Sequence, residues 1–415
     1  MRWARAFTLL ALLAPAAPAW GALTLVEGES GSLAMGGYAR TLAGIQKLSL
    51  ELAPGVPSNL FPNHFSQSST VLRLEWKAAL GDHFSAEVHQ RVFLRLISET
   101  LVFGGEKVGL GASVVPSRTV NLRSVAYDED RLLLEHDIDR LALRASLGDF
   151  DVTLGRQAIT WGIAELFPVA DLWTNFSPFE VDTTQKRGID ALRVLYARER
   201  SLEIEAVLAD RGALRDLSGG LRVATYGPGA DFYFALAKQW RELLAFAGVS
   251  ATAGAFKLRV EAAEPFDLDG RRRELSPPRA SLGVDWLHPS LTLSLEGHYN
   301  GTGVLRASEY LAHYQSSPAL KRGESYLLGR WYAGASAIWK ISELFQLSLV
   351  ALCNLQDPSW LLAGAWTYQV TQGTELSLGM YQGIGKNPLI KLKSELRSEL
   401  GSAGGMYYLA LSSFF

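Results

Sequence analysis

Apolar and polar residues alternate with a period of two along most of the chain. In residues 71–80, Leu72 and Leu74 fall on one face, whereas Arg73 and Lys77 fall on the other. A strand with one apolar and one polar face produces this pattern. The same alternation recurs in residues 84–96, 138–147, 256–262 and 291–299. The pattern predicts an all-β protein.

The connections between the predicted strands alternate between short and long. Short ones are Gly81-Asp82, Gly148-Asp149, Glu199-Arg200, His288-Pro289, Ser342-Glu343 and Gln372-Gly373. Consistent alternation requires one weak strand at Leu221–Tyr226, and it then brings both chain ends to the same side. The sequence thus predicts a transmembrane antiparallel β-barrel of about 18 strands, with short periplasmic turns and long extracellular loops.

The two chain ends predict where in the cell the protein is located. Residues 1–19 combine basic residues, an apolar run and the A-x-A pattern Ala17-Pro18-Ala19, which predicts a signal peptide cleaved before Trp20. The last strand ends in Phe415 and resembles the C-terminal signature by which bacterial outer-membrane barrels are recognised for assembly. We therefore expect residues 20–415 to form one barrel domain in the bacterial outer membrane, with lipid and the barrel assembly machinery as partners.

Composition excludes several function classes. A formal net charge of −2 argues against a nucleic-acid partner, and the single cysteine, Cys353, cannot form an intrachain disulfide. No hydrolase or P-loop motif and no metal-ligand spacing is present. We expect no enzymatic activity, cofactor or metal.

The inward faces of the predicted strands carry an uneven charge. The first half of the chain contributes a basic wall of Arg73, Lys77, Arg91, Arg95, Arg140, Arg144 and Arg193. The second half contributes an acidic wall of Glu203, Glu205, Glu261, Asp285, Glu296 and Glu375. Facing walls of opposite sign would set a field across the lumen. The alternative is that these groups pair with neighbouring strands and fill the barrel.

A sequence motif follows the Gly148-Asp149 turn. It comprises Gly155, Arg156 and Gln157, then Trp161 and Gly162. The surrounding hairpin resembles that of Gram-negative porins with a G-R-Q-x-x-x-W-G pattern, including the alginate-export type and related exopolysaccharide-export barrels. The resemblance implies an 18-stranded outer-membrane channel and, in the alginate branch, a basic lumen that conducts an acidic polysaccharide. The acidic second half of this chain departs from that branch.

Strict alternation through the motif would place Arg156 in lipid, because Leu154 faces lipid. A bulge at Gly155 would turn Arg156 inward and turn Ile159 and Trp161 outward, with Trp161 in the aromatic girdle. The alternative is that Arg156 reaches the headgroups.

The loop Ile163–Gln185 is aromatic and acidic, with Trp173, Phe176, Phe179, Glu180 and Asp182 among its residues. It either packs as an external loop on its neighbours, folds inward as a constriction, or forms a lid. Our preferred function is polysaccharide export with a periplasmic partner. The alternatives are a diffusion porin for small hydrophilic or charged solutes and a plugged structural or adhesive barrel.

Overall fold

The structure, a computed structural model, describes residues 23–28, 30–56, 62–99, 101–103, 106–108, 118–173, 176, 184–198, 201–212, 216–240, 242–267, 277–391 and 394–415. The predicted signal peptide, the turn Glu199-Arg200 and the loop residues Phe179, Glu180 and Asp182 lie outside this part of the chain.

Eighteen antiparallel strands form a closed barrel, which confirms the predicted fold. In chain order they are β1 (Gly31–Lys47), β2 (His64–Leu80), β3 (Phe84–Ile97), β4 (Leu132–Leu147), β5 (Phe150–Gln157), β6 (Ile189–Arg198), β7 (Leu202–Ala209), β8 (Ser218–Tyr226), β9 (Ala230–Gln239), β10 (Glu242–Ala253), β11 (Phe256–Asp267), β12 (Arg279–Leu287), β13 (Leu291–Asn300), β14 (Trp331–Lys340), β15 (Phe345–Asn354), β16 (Ser359–Thr371), β17 (Thr374–Ile384) and β18 (Gly405–Phe414). Strand β18 pairs with β1 and closes the ring, with Tyr38 opposite Phe414.

Shorter elements lie in the connections. Short strands cover Leu23–Gly28, Glu51–Leu52, Leu101–Phe103, Glu106–Val108, Arg123–Asp128 and Leu389–Ile390. Helical turns cover Ala307–Glu309, Tyr310–Ser316, Pro318–Lys321 and Leu400–Ala403. Within the described residues, every helix is too short or too polar to cross a bilayer.

The outer face of the barrel is apolar, because one side chain in every two along each strand points away from the interior. Leu143, Leu154 and Phe234 are each at least 60% exposed. Aromatic pairs flank the short turns, including Phe150 with Tyr196 at 4.9 Å between ring centroids. Such a surface is costly in water and is typical of a barrel in lipid.

Strand β4 contains a bulge that changes which residues face inward. His89 on β3 lies opposite Arg140, but Gln90 lies opposite Ile138, so Asp139 is an extra residue in β4. Both Asp139 and Arg140 are buried. Beyond the bulge the phase of the alternation reverses, and Asp137 joins the inward set opposite Arg91.

A second strand substitutes for β5 in the wall. Strand β5 pairs with β4 only as far as Arg156 opposite Leu141. Beyond that point the short strand Arg123–Asp128 pairs with the same edge of β4, with Arg123 opposite Asp137. The wall therefore stays hydrogen-bonded where β5 ends and the chain turns into the barrel.

Candidate functional site

The segment Ala158–Trp173, which we call the inner segment, leaves the wall after β5 and folds into the barrel. Gly155 precedes it with φ +119°, a conformation that L side chains rarely adopt. A Cβ at Gly155 would lie 2.1 Å from the Leu141 carbonyl oxygen. The pairing of β4 with β5 is continuous through Gly155, so the predicted bulge there is wrong. The wall strand continues past Gly155 as far as Gln157, which still pairs with Ile189.

Arg156 holds the point where β5 ends. Its guanidinium donates to Asp190 at 2.7 Å and to the carbonyl oxygens of Ile138 at 2.6 Å and Val120 at 2.5 Å. The side chain is buried among these groups rather than extended to headgroups. Gln157, also buried, donates to the Ala191 carbonyl at 3.1 Å. These two motif residues connect β5 to the neighbouring strands.

Trp161 lies inside the barrel, so its predicted place in the outer girdle is wrong. Its ring meets the Trp173 ring edge to face at 5.8 Å, and Ile159 belongs to the same buried cluster. A Cβ at Gly220 would lie 2.8 Å from the Trp161 ring. The wall strand ends at Gln157, so the period-two alternation of a strand does not apply to Trp161.

Two wall carboxylates hold the inner segment by its backbone. Glu261 on β11 accepts hydrogen bonds from the amides of Ile163 at 2.7 Å and Ala164 at 3.0 Å. Glu296 on β13 accepts from Phe167 at 2.7 Å. Further amides bonded to these two carboxylates are those of Ala170 on Glu261, and of Glu165 and Leu166 on Glu296. A segment without secondary structure needs such acceptors for its buried amides.

Asp171, near the end of the inner segment, bonds back to residues near its start. The Asp171 carboxylate accepts from the amides of Trp161 and Gly162, each at 3.0 Å. Lys186 forms an ion pair with the same carboxylate. Of the three readings of this loop, an external loop, an inward constriction and a lid, the contacts of the described part fit the inward constriction.

Glu165 lies at the tip of the inner segment. Its carboxylate accepts from the hydroxyls of Ser294 and Ser336, each at 2.9 Å, and lies 3.3 Å from Arg259. Arg259 also pairs with Asp285 at 2.5 Å. The tip thus spans from β11 to β14 and narrows the lumen on this side.

The remaining residues of the predicted acidic wall are paired or peripheral. Glu205 pairs with Arg193 at 2.7 Å, and Glu203 accepts from Arg222 at 2.7 Å. Glu375 lies on β17 beside the short turn. Most of the acidic wall therefore binds protein groups rather than facing an open lumen.

The basic wall is also largely paired with carboxylates. Arg73 lies 2.6 Å from Asp139 and 2.9 Å from Glu75. Arg91 lies 3.0 Å from Glu135. Arg95 is buried, and the carboxylates that act on its charge are Asp128 and Glu135.

Sequence reasoning missed the acidic partners on β4, namely Glu135, Asp137 and Asp139, because the bulge reverses the phase that the alternation follows. It also missed Arg118, which pairs with Asp137 at 2.7 Å. One signal was available for the inner segment. Several inward positions on β6 to β9 are small and apolar, such as Ala191 and Ala235, where a water-filled lumen would carry polar residues.

Cationic side chains remain at the short-turn end of the interior. A cavity of about 410 Å³ lies there, lined by residues of strands β1 to β6. Its charged lining residues are Lys77, Arg140, Arg144, Arg193 and Glu87. Lys77 is mostly exposed, 3.9 Å from Glu75, whereas Arg140 donates to the carbonyl oxygens of Asp139 and Lys186. Arg144 and Arg193 form ion pairs with Asp151 and Glu205, so Lys77 and Arg140 are the lining cations that are not held in a close ion pair among the described residues.

The C-terminal residue lies in the wall. Phe415 exchanges backbone hydrogen bonds with Gly37, at 2.7 Å and 3.0 Å, where β18 meets β1. Its proposed role as an assembly signal remains a prediction.

At the long-loop end, Glu399 holds two connections together. Its carboxylate accepts from the Tyr332 hydroxyl at 2.5 Å, the Asn354 amide group at 2.7 Å and the Leu328 amide at 2.9 Å. Burial raises the pKa of Glu399 to about 7. These contacts hold the connection before β14 against the one before β18.

Comparison with known proteins identifies the fold only. No family model and no curated protein matches the sequence. Solved structures that match include a BenF-like porin from Pseudomonas fluorescens Pf-5, with a TM-score of 0.56, 10% identity, and coverage of 92% of this chain and 98% of that one. Pseudomonas aeruginosa OccK5 (OpdH) matches with a TM-score of 0.54 and 7% identity, over 92% of this chain and 98% of that one. Pseudomonas aeruginosa OccD3 (OpdP) matches with a TM-score of 0.52 and 11% identity, over 95% of this chain and 93% of that one. The chain therefore has a barrel fold that is also found in porins.

Proposed function

We propose that this protein is an outer-membrane diffusion channel for small hydrophilic solutes, with a preference for anions. The observation that carries the proposal is the inner segment, which Glu261 and Glu296 hold across the lumen. A barrel of about 18 strands otherwise leaves a wide aqueous channel. A segment fixed inside it restricts passage to small molecules.

The charge of the lining supports the anion preference. Lys77, Arg140, Arg144 and Arg193 line the cavity at the short-turn end, which faces the periplasm in barrels of this kind. Glu87 is the one acidic residue among the described residues that line it. Arg144 and Arg193 are paired with Asp151 and Glu205, so Lys77 and Arg140 carry the preference. A cleft with an excess of one sign concentrates ions of the other sign.

Polysaccharide export is the second candidate, and it rests on the resemblance of the G-R-Q-x-x-x-W-G hairpin. It would require a bore that admits a polymer and a periplasmic export partner. The inner segment favours small solutes over a polymer, because its tip at Glu165 is bonded to the opposite strands. The porin named among the structural neighbours supports the same choice.

Reconstitution into planar bilayers tests the proposal. We expect stable single-channel conductance and a reversal potential that favours chloride over potassium. A barrel without conductance would instead be a plugged structural or adhesive protein.

A deletion strain separates diffusion from export. We expect normal polysaccharide secretion and slower uptake of a small anionic nutrient. Polysaccharide trapped in the periplasm, together with unchanged uptake of small solutes, would contradict the diffusion channel and support export.

A further inference from the structure

A small cavity lies at the long-loop end, separate from the cationic cavity described above. Its volume is about 200 Å³, and it lies between Phe167 of the inner segment and the connections that precede β14 and β18. Its lining residues are Phe167, Tyr314, Leu320, Ser325, Tyr326, Leu327, Leu328, Tyr332, Leu352, Glu399, Leu400 and Ser402. A cavity of roughly 150 Å³ holds one benzene molecule, so this one has room for a small organic ligand.

Aromatic and leucine side chains make up most of this lining. Four of the lining residues carry aromatic rings, namely Phe167, Tyr314, Tyr326 and Tyr332. The rings of Phe167 and Tyr332 lie 5.9 Å apart and are tilted by 41°. The face of an aromatic ring attracts cations, and several rings around one space form the cage that recognises quaternary ammonium groups.

Glu399 supplies the only charge among the described residues that line the cavity. Its partners are the Tyr332 hydroxyl, the Asn354 side-chain amide and backbone amides, none of which is cationic. The nearby titratable groups are Tyr310, which bonds to Asn354 at 3.0 Å, and Asp357, which accepts from the Glu399 amide at 2.7 Å. The described surroundings leave the carboxylate without a counter-ion, which is costly for a buried charge.

We propose that this cavity binds a small quaternary or alkylated ammonium cation, with the aromatic rings around its methyl groups and Glu399 as its counter-ion. The apolar leucines favour a methylated cation over a hydrated metal ion, because such a cation gives up its water easily. The proposal does not depend on the channel function, since it concerns binding to the folded barrel.

Isothermal titration calorimetry on the full-length barrel in detergent tests the proposal. The probes are tetramethylammonium, choline and 3,3-dimethyl-1-butanol, the last being a neutral analogue of choline. We expect both cations to bind with a stoichiometry of one, and the neutral analogue to bind at least about tenfold more weakly. Equal affinity for the neutral analogue would mean that the cavity selects apolar groups rather than a cation, which contradicts the proposal. Absence of cation binding would also overturn it.

Variants locate the binding site. Glu399→Gln keeps the side-chain volume and removes the charge, so we expect a loss of choline affinity of about tenfold or more. Glu395→Gln is the matched control in the same connection, because Glu395 pairs with Lys391 at the surface and does not line the cavity. Wild-type affinity in Glu399→Gln would refute the assignment.

A second variant covers the case in which Glu399→Gln does not fold, as judged by heat-dependent gel mobility. Tyr314 is 43% exposed, so Tyr314→Leu removes one ring with little effect on the core. We expect a loss of choline affinity of about threefold to tenfold, the value of one cation–π contact, and unchanged binding of the neutral analogue. Unchanged choline binding in this variant would contradict the aromatic cage.

Discussion

The carboxylate of Glu296 accepts a hydrogen bond from the backbone amide of Phe167 at 2.7 Å. Glu296 lies on a wall strand, whereas Phe167 lies in the middle of the inner segment. The contact shows why a barrel interior can contain an acidic residue without presenting a negative surface. The charge is used to satisfy backbone donors that would otherwise be buried without partners.

Neutralising this carboxylate should loosen the inner segment. In Glu296→Gln one acceptor oxygen is replaced by a donor group, so at least one amide of the inner segment loses its partner. We expect a higher single-channel conductance and a free energy of unfolding lower by about 1–3 kcal/mol. Glu375→Gln on β17 is the control, since it removes the same charge from the wall away from the inner segment. Equal conductance in both variants would mean that the segment does not limit the pore.

Charge removal at the short-turn end should change ion selectivity. Lys77 and Arg140 line the cationic cavity, whereas Arg397 pairs with Glu51 between two surface connections. We expect Lys77→Gln combined with Arg140→Gln to shift the reversal potential toward cations under a salt gradient. Arg397→Gln removes charge outside the lumen and should leave the potential unchanged. The shift in reversal potential should become smaller as salt increases, because the Debye length falls from about 10 Å at 0.1 M to about 3 Å at 1 M.

Gly155 and Gly148 provide a matched pair for testing the turn into the barrel. Both have positive φ, but a Cβ at Gly148 meets no atom within 4 Å, whereas at Gly155 it meets the Leu141 carbonyl oxygen. Gly148→Ala should lower the free energy of unfolding by roughly 1–2 kcal/mol, which is the penalty for an L residue in the left-handed conformation. Gly155→Ala should cost several times more and reduce the yield of folded barrel. Urea unfolding monitored by heat-dependent gel mobility measures both, and equal costs would argue against the clash.

Glu399 should make the packing of its two connections depend on pH. Its pKa is raised to about 7 from an ordinary value of 4.5, so the packed state is favoured while the carboxyl is protonated. That stabilisation is lost as pH rises through about 7. We expect hydrogen exchange of the Leu328 and Gly329 amides, corrected for intrinsic rates, to show weaker protection at pH 8 than at pH 6. In Glu399→Gln this difference should disappear, and its persistence would assign the effect to another group.

The fold was predictable because alternation and turn spacing are local properties of the sequence. The weak strand at Leu221–Tyr226, required only by the alternation of turns and loops, exists as β8. The interior was less predictable, since one extra residue, Asp139, reverses the inward face of β4. The path of the chain after Gln157 depends on distant residues such as Glu261, and alternation carries no information about such partners.

The short strand Arg123–Asp128 separates the sealing of the wall from the shaping of the lumen. Because this short strand closes the gap beside β4, the inner segment is not needed to seal the barrel wall against lipid. The inner segment can therefore be regarded as an exchangeable cassette. Segments of other length or charge could be grafted between Gln157 and Lys186 to change which analytes an engineered nanopore detects. The strands that contact lipid would stay unchanged.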